Sequence, residues 1–162
     1  MLPAIAQTLA NILVGDTSLI STESIDFNPP SSELSGPPGF NLYCYGVFAK
    51  PTEENASDDS ELVQPSPQAS FLSPPRWVDA SFLISARDHT WLGKHQLLSE
   101  ALTSFLKHQP LEEKFLAPEL RGNGSLALSL NPNKIISPST LWASLGVPVR
   151  PALYLTITVP IR

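Results

Sequence analysis

The stretch Trp-Val-Asp-Ala-Ser-Phe-Leu-Ile-Ser-Ala, residues 77–86, alternates between apolar and polar side chains and decides the fold. Asp79, Ser81 and Ser85 lie on one face of this stretch. A period of two predicts a strand, because successive side chains point to opposite faces of a sheet. We therefore expect one wet face and one buried face, the latter made of Val78, Ala80, Phe82, Ile84 and Ala86.

A helix is predicted directly after this strand, over residues 92–108, because apolar residues recur three and four positions apart. Pro110 ends it, and Asp88 or Thr90 in the preceding turn is expected to cap it. The apolar stripe comprises Leu97, Leu98, Ala101, Leu102, Phe105 and Leu106. The polar side comprises Lys94, Ser99, Glu100, Thr103, Ser104 and Lys107.

Four further strands are predicted. Residues 40–48 are rich in β-formers and apolar on both faces, which is typical of an interior strand. A short strand is expected around Ile25 and Phe27, and another over residues 126–130 after the Asn-Gly turn at 123–124. Residues 152–161 alternate strictly, and Pro160 places the end of that strand at a sheet edge.

Two more helices complete the pattern. The first spans residues 2–14, with Pro3 in its first turn and Gly15 as its stop. The second is short, with Ser137 as its cap and Gly146 as its stop. The order α-β-β-loop-β-α-β-α-β predicts a single α+β domain over residues 1–162. Its mixed, mainly antiparallel sheet would pack against two longer helices and the short one.

Residues 50–76 interrupt the pattern with five prolines, and we expect a long, flexible, acidic loop. Residues 51–75 contain five acids and no base, whereas the rest of the chain has ten of each. A neutral body with an acidic loop argues against nucleic acid and anionic lipid as partners. The apolar pair Phe71-Leu72 is expected to dock on another surface.

No residue set for chemistry is apparent. Cys44 is the only cysteine, which excludes an intrachain disulfide and suits a reducing compartment, and it is expected to be a core thiol. The histidines, His89, His95 and His108, have no zinc-ligand spacing, and His95 and His108 are expected to be solvated. There is no nucleophile elbow or phosphate-binding glycine loop, so we predict no catalytic, metal or cofactor residue and no enzyme. No secretory or membrane-spanning segment is apparent either, which favours a cytosolic location without membrane insertion.

Three stretches together suggest a family. Residues 75–86 lead directly into the helix that holds His-Gln-Leu-Leu at 95–98. The second stretch, Pro-Ser-Thr-Leu-Trp-Ala-Ser-Leu-Gly, occupies residues 138–146, and the third, residues 150–160, ends in the last strand. In this order the sequence resembles the cap, or tail-terminator, family of phage-tail-like contractile injection systems.

The resemblance implies a terminator-like fold, no cofactor and a sixfold ring of this chain. That ring would close the distal end of the inner tube and sheath in a cytoplasmically assembled particle. Trp142, Arg150, Tyr154 and Trp91 are expected near subunit contacts, with a core role for Trp142 as the alternative. Two other functions stay open: an adaptor between tube and baseplate, and a small hydrolase or isomerase with a pocket lined by His89 or His95.

Overall fold

The chain is described by a computed structural model over residues 1–19, 21–32, 36–50, 76–131 and 134–161. Three α-helices lie within these ranges: α1 (Leu2–Asp16), α2 (Trp91–Lys107) and α3 (Pro138–Leu145). They accompany a five-stranded sheet of β1 (Ile25–Asp26), β2 (Gly39–Ala49), β3 (Arg76–Arg87), β4 (Leu128–Ser129) and β5 (Leu153–Ile161). The strand order is β1-β2-β3-β5-β4, and β1–β2 is its parallel pair. The predicted α+β class, with a mixed and mainly antiparallel sheet, is confirmed.

The central strand β3 is covered on both faces. One face carries the predicted apolar row and faces α1 and α2, so that part of the prediction is correct. The predicted wet face is wrong, since Ser81 and Ser85 are both buried. Leu83, which lies between them, packs against Leu141 of α3. Small hydroxyls tolerate this burial when they are paired, as Ser81 is with the Thr156 hydroxyl at 3.2 Å.

Helix α1 buries one apolar side against the sheet and continues two residues beyond its predicted end. Its buried residues recur at helical spacing, and Pro3 lies in the first turn as expected. Gly15 does not stop the helix, which runs to Asp16. The stop comes from Thr17, whose backbone N–H donates to the Leu13 carbonyl over 3.0 Å and whose backbone is extended.

Fewer apolar side chains of α2 face the core than its sequence predicts. Leu97, Ala101 and Phe105 are buried as predicted. Leu102 and Leu106 are exposed, at 38% and 53%, which contradicts a core role for the whole stripe. Apolar residues in two adjacent columns cannot all face one neighbour, because each residue advances the helix by about 100°.

A partly buried polar cluster joins the ends of α1 and α2, with Asp16 on its exposed side. Asp16 accepts a hydrogen bond of 2.7 Å from the Ser104 hydroxyl and lies 3.0 Å from His108 Nε2. The predictions of a solvated His108 and a polar-side Ser104 are therefore wrong, since both are buried. The Ser104 hydrogen bond, with His108 beside it, holds the pKa of Asp16 below its ordinary value.

Replacing Asp16 by Ala should destabilise the fold by about 1–3 kcal/mol, because two buried polar groups lose their acceptor. The lowered pKa means that the carboxylate contributes stability above about pH 4, and that this contribution is lost as the pH falls further. Urea unfolding of Asp16→Ala and Asp16→Asn at neutral pH checks the magnitude, with Asn retaining an acceptor. Equal unfolding free energies for wild type and Asp16→Ala would contradict the structural role.

The remaining strands differ from expectation mainly in length. The strand predicted over residues 126–130 is shorter in the structure, where only β4 forms, and Leu126 makes a separate bridge to Leu111. Strand β2 is interior only where β1 pairs with Phe40 and Asn41, and its distal half is more exposed. Thr158 donates its backbone N–H to the Ala127 carbonyl over 2.9 Å. The nitrogen of Pro160, two residues further along β5, faces the same side of the strand as that N–H and lies beyond the end of β4.

The predicted loop over residues 50–76 lies almost wholly outside the described residues, and so does the pair Phe71-Leu72. The two strands that flank it pair directly, with the Lys50 N–H donating to the Trp77 carbonyl over 2.9 Å. Strands β2 and β3 therefore stay paired up to the residues that adjoin this segment.

Replacing residues 51–75 by a short Gly/Ser linker should leave cooperative melting near the parental temperature. Loop-closure entropy changes slowly with loop length, so the substitution costs about 1 kcal/mol or less. Circular dichroism melts of the two proteins make the comparison. An aggregated or unfolded product would instead show that the segment is packed structure, with Phe71 as the first residue to test.

Candidate assembly surface

Helix α3 holds Trp142 against the sheet face opposite α1 and α2. Its ends follow the sequence prediction: the Ser137 side chain accepts from the Thr140 N–H, and Gly146 ends the helix with φ of 70°. Trp142 is 2% exposed, and its Nε1 donates to the Tyr154 hydroxyl over 3.0 Å. Most of its indole is therefore engaged within the chain.

Arg150 covers the outer side of this cluster. Its guanidinium carbon lies 5.5 Å from the centre of the Trp142 ring, a cation–π arrangement. A terminal nitrogen donates to the Ser31 carbonyl, which ties the segment before β5 to the segment after β1. Burial lowers the pKa of Arg150, although an arginine stays charged at neutral pH. Trp142, Arg150 and Tyr154 thus form one cluster, and their role in subunit contacts stays a prediction.

A small polar recess adjoins Arg150. Arg150 Nε and Asn41 Oδ1 are buried and have no hydrogen-bond partner within the part of the chain that the structure describes. The Asn41 amide nitrogen, in contrast, donates to the carbonyls of Asp26 and Asn28. Both residues line this recess, together with Pro30, Ser31 and Ser85.

Trp91 lies apart from this cluster, on the first turn of α2. It is 68% exposed and meets the His95 ring edge-on at 5.1 Å between centroids. The Trp91 side chain borders a groove of about 180 Å³ that reaches Arg150. The groove is lined by Ala86, Trp91, Lys94, His95, Leu98, Arg150 and Pro151. Two of the four predicted interface residues, Trp91 and Arg150, therefore share one groove.

A shallower apolar surface continues from the groove along α2. It contains Leu98, Leu102 and Leu153, with Pro151 at the end shared with the groove. Sequence reasoning assigned these leucines to the core and so missed the surface. The signal was the pairing of apolar residues at positions 97–98, 101–102 and 105–106, which makes a stripe wider than one packed face needs.

The turn before α2 is capped as the sequence predicts. Thr90 caps α2 by accepting from the Gly93 N–H over 3.0 Å, and Asp88 accepts from the Thr90 N–H. Cys44 is half-buried on β2, and burial raises the pKa of its thiol. No three His, Cys, Asp or Glu side chains within the described ranges are grouped so as to hold a metal ion.

The family model for the Pvc16 N-terminal domain matches residues 4–162. The chain belongs to the Pvc16 N-terminal domain family. This match spans the strand, helix and C-terminal stretches on which the sequence resemblance rests, and the family assignment made from them is confirmed. No curated protein matches the sequence.

Two solved structures share the fold of this Pvc16 N-terminal domain. One is the PVC sheath/tube terminator of an extracellular contractile injection system in its extended state, with a TM-score of 0.65 and 17% identity over 99% of this chain and 56% of that one. The other is the tube-terminating cap of the anti-feeding prophage, with a TM-score of 0.60 and 16% identity over 97% of this chain and 53% of that one. The domain thus spans little more than half the length of either protein.

None of the helices in the described ranges combines the length and the apolar character that crossing a bilayer requires.

Proposed function

We propose that this chain acts as the terminator of a contractile injection system, forming a sixfold ring that closes the distal end of the inner tube and sheath. The observation that carries the proposal is the match to the Pvc16 N-terminal domain family over residues 4–162. The shared fold with a sheath/tube terminator and with a tube-terminating cap supports it.

A terminator solves a geometric problem. A helical stack of identical subunits presents the same binding surface at its growing end after each addition, so growth continues until another protein covers that end. Such a protein must match the symmetry of the stack on one side and offer no copy of its binding surface on the other. A ring closed by head-to-tail contacts between its own subunits meets both requirements.

The surface of the described residues has the character that such contacts need. Trp91, Leu102 and Leu106 are each more than a third exposed. Trp91 lines the groove beside Arg150, and Leu102 lies on the apolar surface that adjoins it. Contiguous apolar surface of this kind is costly to leave in water and usually marks a contact with another protein. We assign the α2 side to contacts within the particle.

In this proposal the protein has a structural role and no enzymatic one. Its partners are further copies of itself, the tube protein and the sheath protein, and it acts after assembly into the particle. The half-buried Cys44 and the capped turn at Asp88 have structural tasks that suit such a role. An adaptor between tube and baseplate would bind the opposite end of the same tube, so end-specific binding separates the two functions.

The direct biochemical test is end binding. Purified chain labelled with gold is mixed with particles whose own terminator has been removed, and labelled ends are counted by negative-stain electron microscopy. We expect label at the end distal to the baseplate. Label at the baseplate end would indicate the adaptor, and label along the sides or none at all would contradict the terminator proposal.

A further inference from the structure

The groove beside Trp91 has two properties that define what fits it. Its lining is mainly apolar, with an exposed indole, Leu98 and Pro151, and it also contains the cations Lys94 and Arg150. None of the seven described residues that line it is acidic. The two nearest acids along the chain are both engaged elsewhere: Asp88 at the start of α2, and Glu100 as the acceptor of two hydrogen bonds from Ser18. An apolar side chain on an acidic peptide would match both the floor and the charge.

This chain carries a segment of that composition. Residues 51–75 contain five acids and no base, five prolines and a single aromatic residue, Phe71. Proline-rich segments lose little conformational entropy on binding and are commonly held in grooves lined by aromatic rings. Net attraction to a groove with two fixed cations follows from the charge of the segment.

The covalent connection decides which copy of the chain is bound. Phe71 is five residues from Arg76, where β3 begins, so its Cα lies at most about 18 Å from that residue. Ala86, on the wall of the groove, is ten residues further along the extended strand β3, at about 33 Å from Arg76. Phe71 cannot reach the groove of its own chain but is free to enter the groove of another.

We propose that Phe71 of one copy docks into the Trp91 groove of a neighbouring copy, with the acidic part of residues 51–75 lying near its Lys94 and Arg150. This contact is head-to-tail, since a segment at one end of β3 binds a groove at the other end, and head-to-tail contacts are those that close rings. The inference rests on the proposed ring and names the contact that would join its subunits.

Disulfide trapping between two different copies tests this directly. The native Cys44 is replaced by Ala in both, one protein carries Leu72→Cys beside Phe71, and the other carries His95→Cys in the groove. His95 is exposed and lines the groove, so its substitution leaves Trp91 in place. The two proteins, with tags of different size, are mixed and oxidised. Thermal melts first establish that each variant is folded.

The expected result is a cross-linked species with the mass of two chains, one of each kind, that is lost when Trp91 is also changed to Ala. The control pairs Leu72→Cys with Ile135→Cys, an exposed position outside the groove lining. If the wild type assembles but both pairs cross-link equally, the Phe71 contact is overturned and the proposed ring is not. If the wild type stays monomeric both on its own and in the presence of tube ends, the proposed ring is overturned as well.

Discussion

Ile157→Asp should leave the chain unable to fold stably at neutral pH. Ile157 is fully buried, in the middle of β5, and pairs with Ala80 of β3 and Leu128 of β4. An unpaired carboxylate at such a site costs several kcal/mol, which is a large fraction of the about 5–15 kcal/mol that stabilises a typical domain. We expect the variant to aggregate or to show no cooperative melting transition.

Two matched variants isolate the cause. Ile157→Val removes one methylene from the same site and should cost about 0.5–1.5 kcal/mol. Thr156→Asp introduces the same charge one residue away, at a half-buried site where the carboxylate retains an acceptor for Ser81, and should cost about 1–2 kcal/mol. Unfolding in guanidinium chloride measures the loss for Ile157→Val and Thr156→Asp, and shows whether Ile157→Asp has a cooperative transition at all. Similar losses for Ile157→Asp and Thr156→Asp would mean that both faces of β5 are equally buried.

Trp142→Ala should destabilise the protein by about 3–5 kcal/mol, because it opens a cavity under α3. Tyr154→Phe is the control. It keeps the ring but removes the acceptor of the buried indole N–H, and should destabilise the protein by about 1–3 kcal/mol. Denaturant midpoints and m-values give both numbers. An unchanged midpoint for Trp142→Ala, together with weakened self-association, would identify Trp142 as an interface residue instead of a core residue.

The period of the sequence was enough to place most elements, because side chains in strands and helices repeat at different intervals. Residues 77–86 and 152–161 became β3 and β5, and the short helix kept both of its predicted ends. The order of elements then restricted the fold to an α+β sheet with helices. Element ends were less accurate where a side chain acts locally, as Thr17 does at the end of α1.

The assignment of faces required the tertiary structure. Alternation shows which residues share a face, but it does not show what covers that face, so the burial of Ser81 and Ser85 was missed. For the same reason, alternation did not separate the two apolar columns of α2. Leu97, Ala101 and Phe105 are buried, whereas Leu102 and Leu106 are exposed. His108 was misplaced because its partner, Asp16, is 92 residues away.

The candidate surface was predictable only in part. The sequence indicated Trp91, Arg150, Tyr154 and Trp142 by their positions near the ends of elements. The sequence does not indicate that Trp91 and Arg150 line one groove, because positions 91 and 150 are 59 residues apart along the chain. This long-range juxtaposition depends on the pairing of β3, which leads into α2, with β5, which follows Arg150.

The length of the tubes is the measurement that tests the terminator role most directly. Particles are purified from cells with and without the gene for this chain, and tube and sheath lengths are measured by electron microscopy. If the chain closes the distal end, its loss should broaden the length distribution and yield irregular tubes or sheaths that contract prematurely. Tubes of normal, uniform length with sheaths that contract normally would contradict the terminator role.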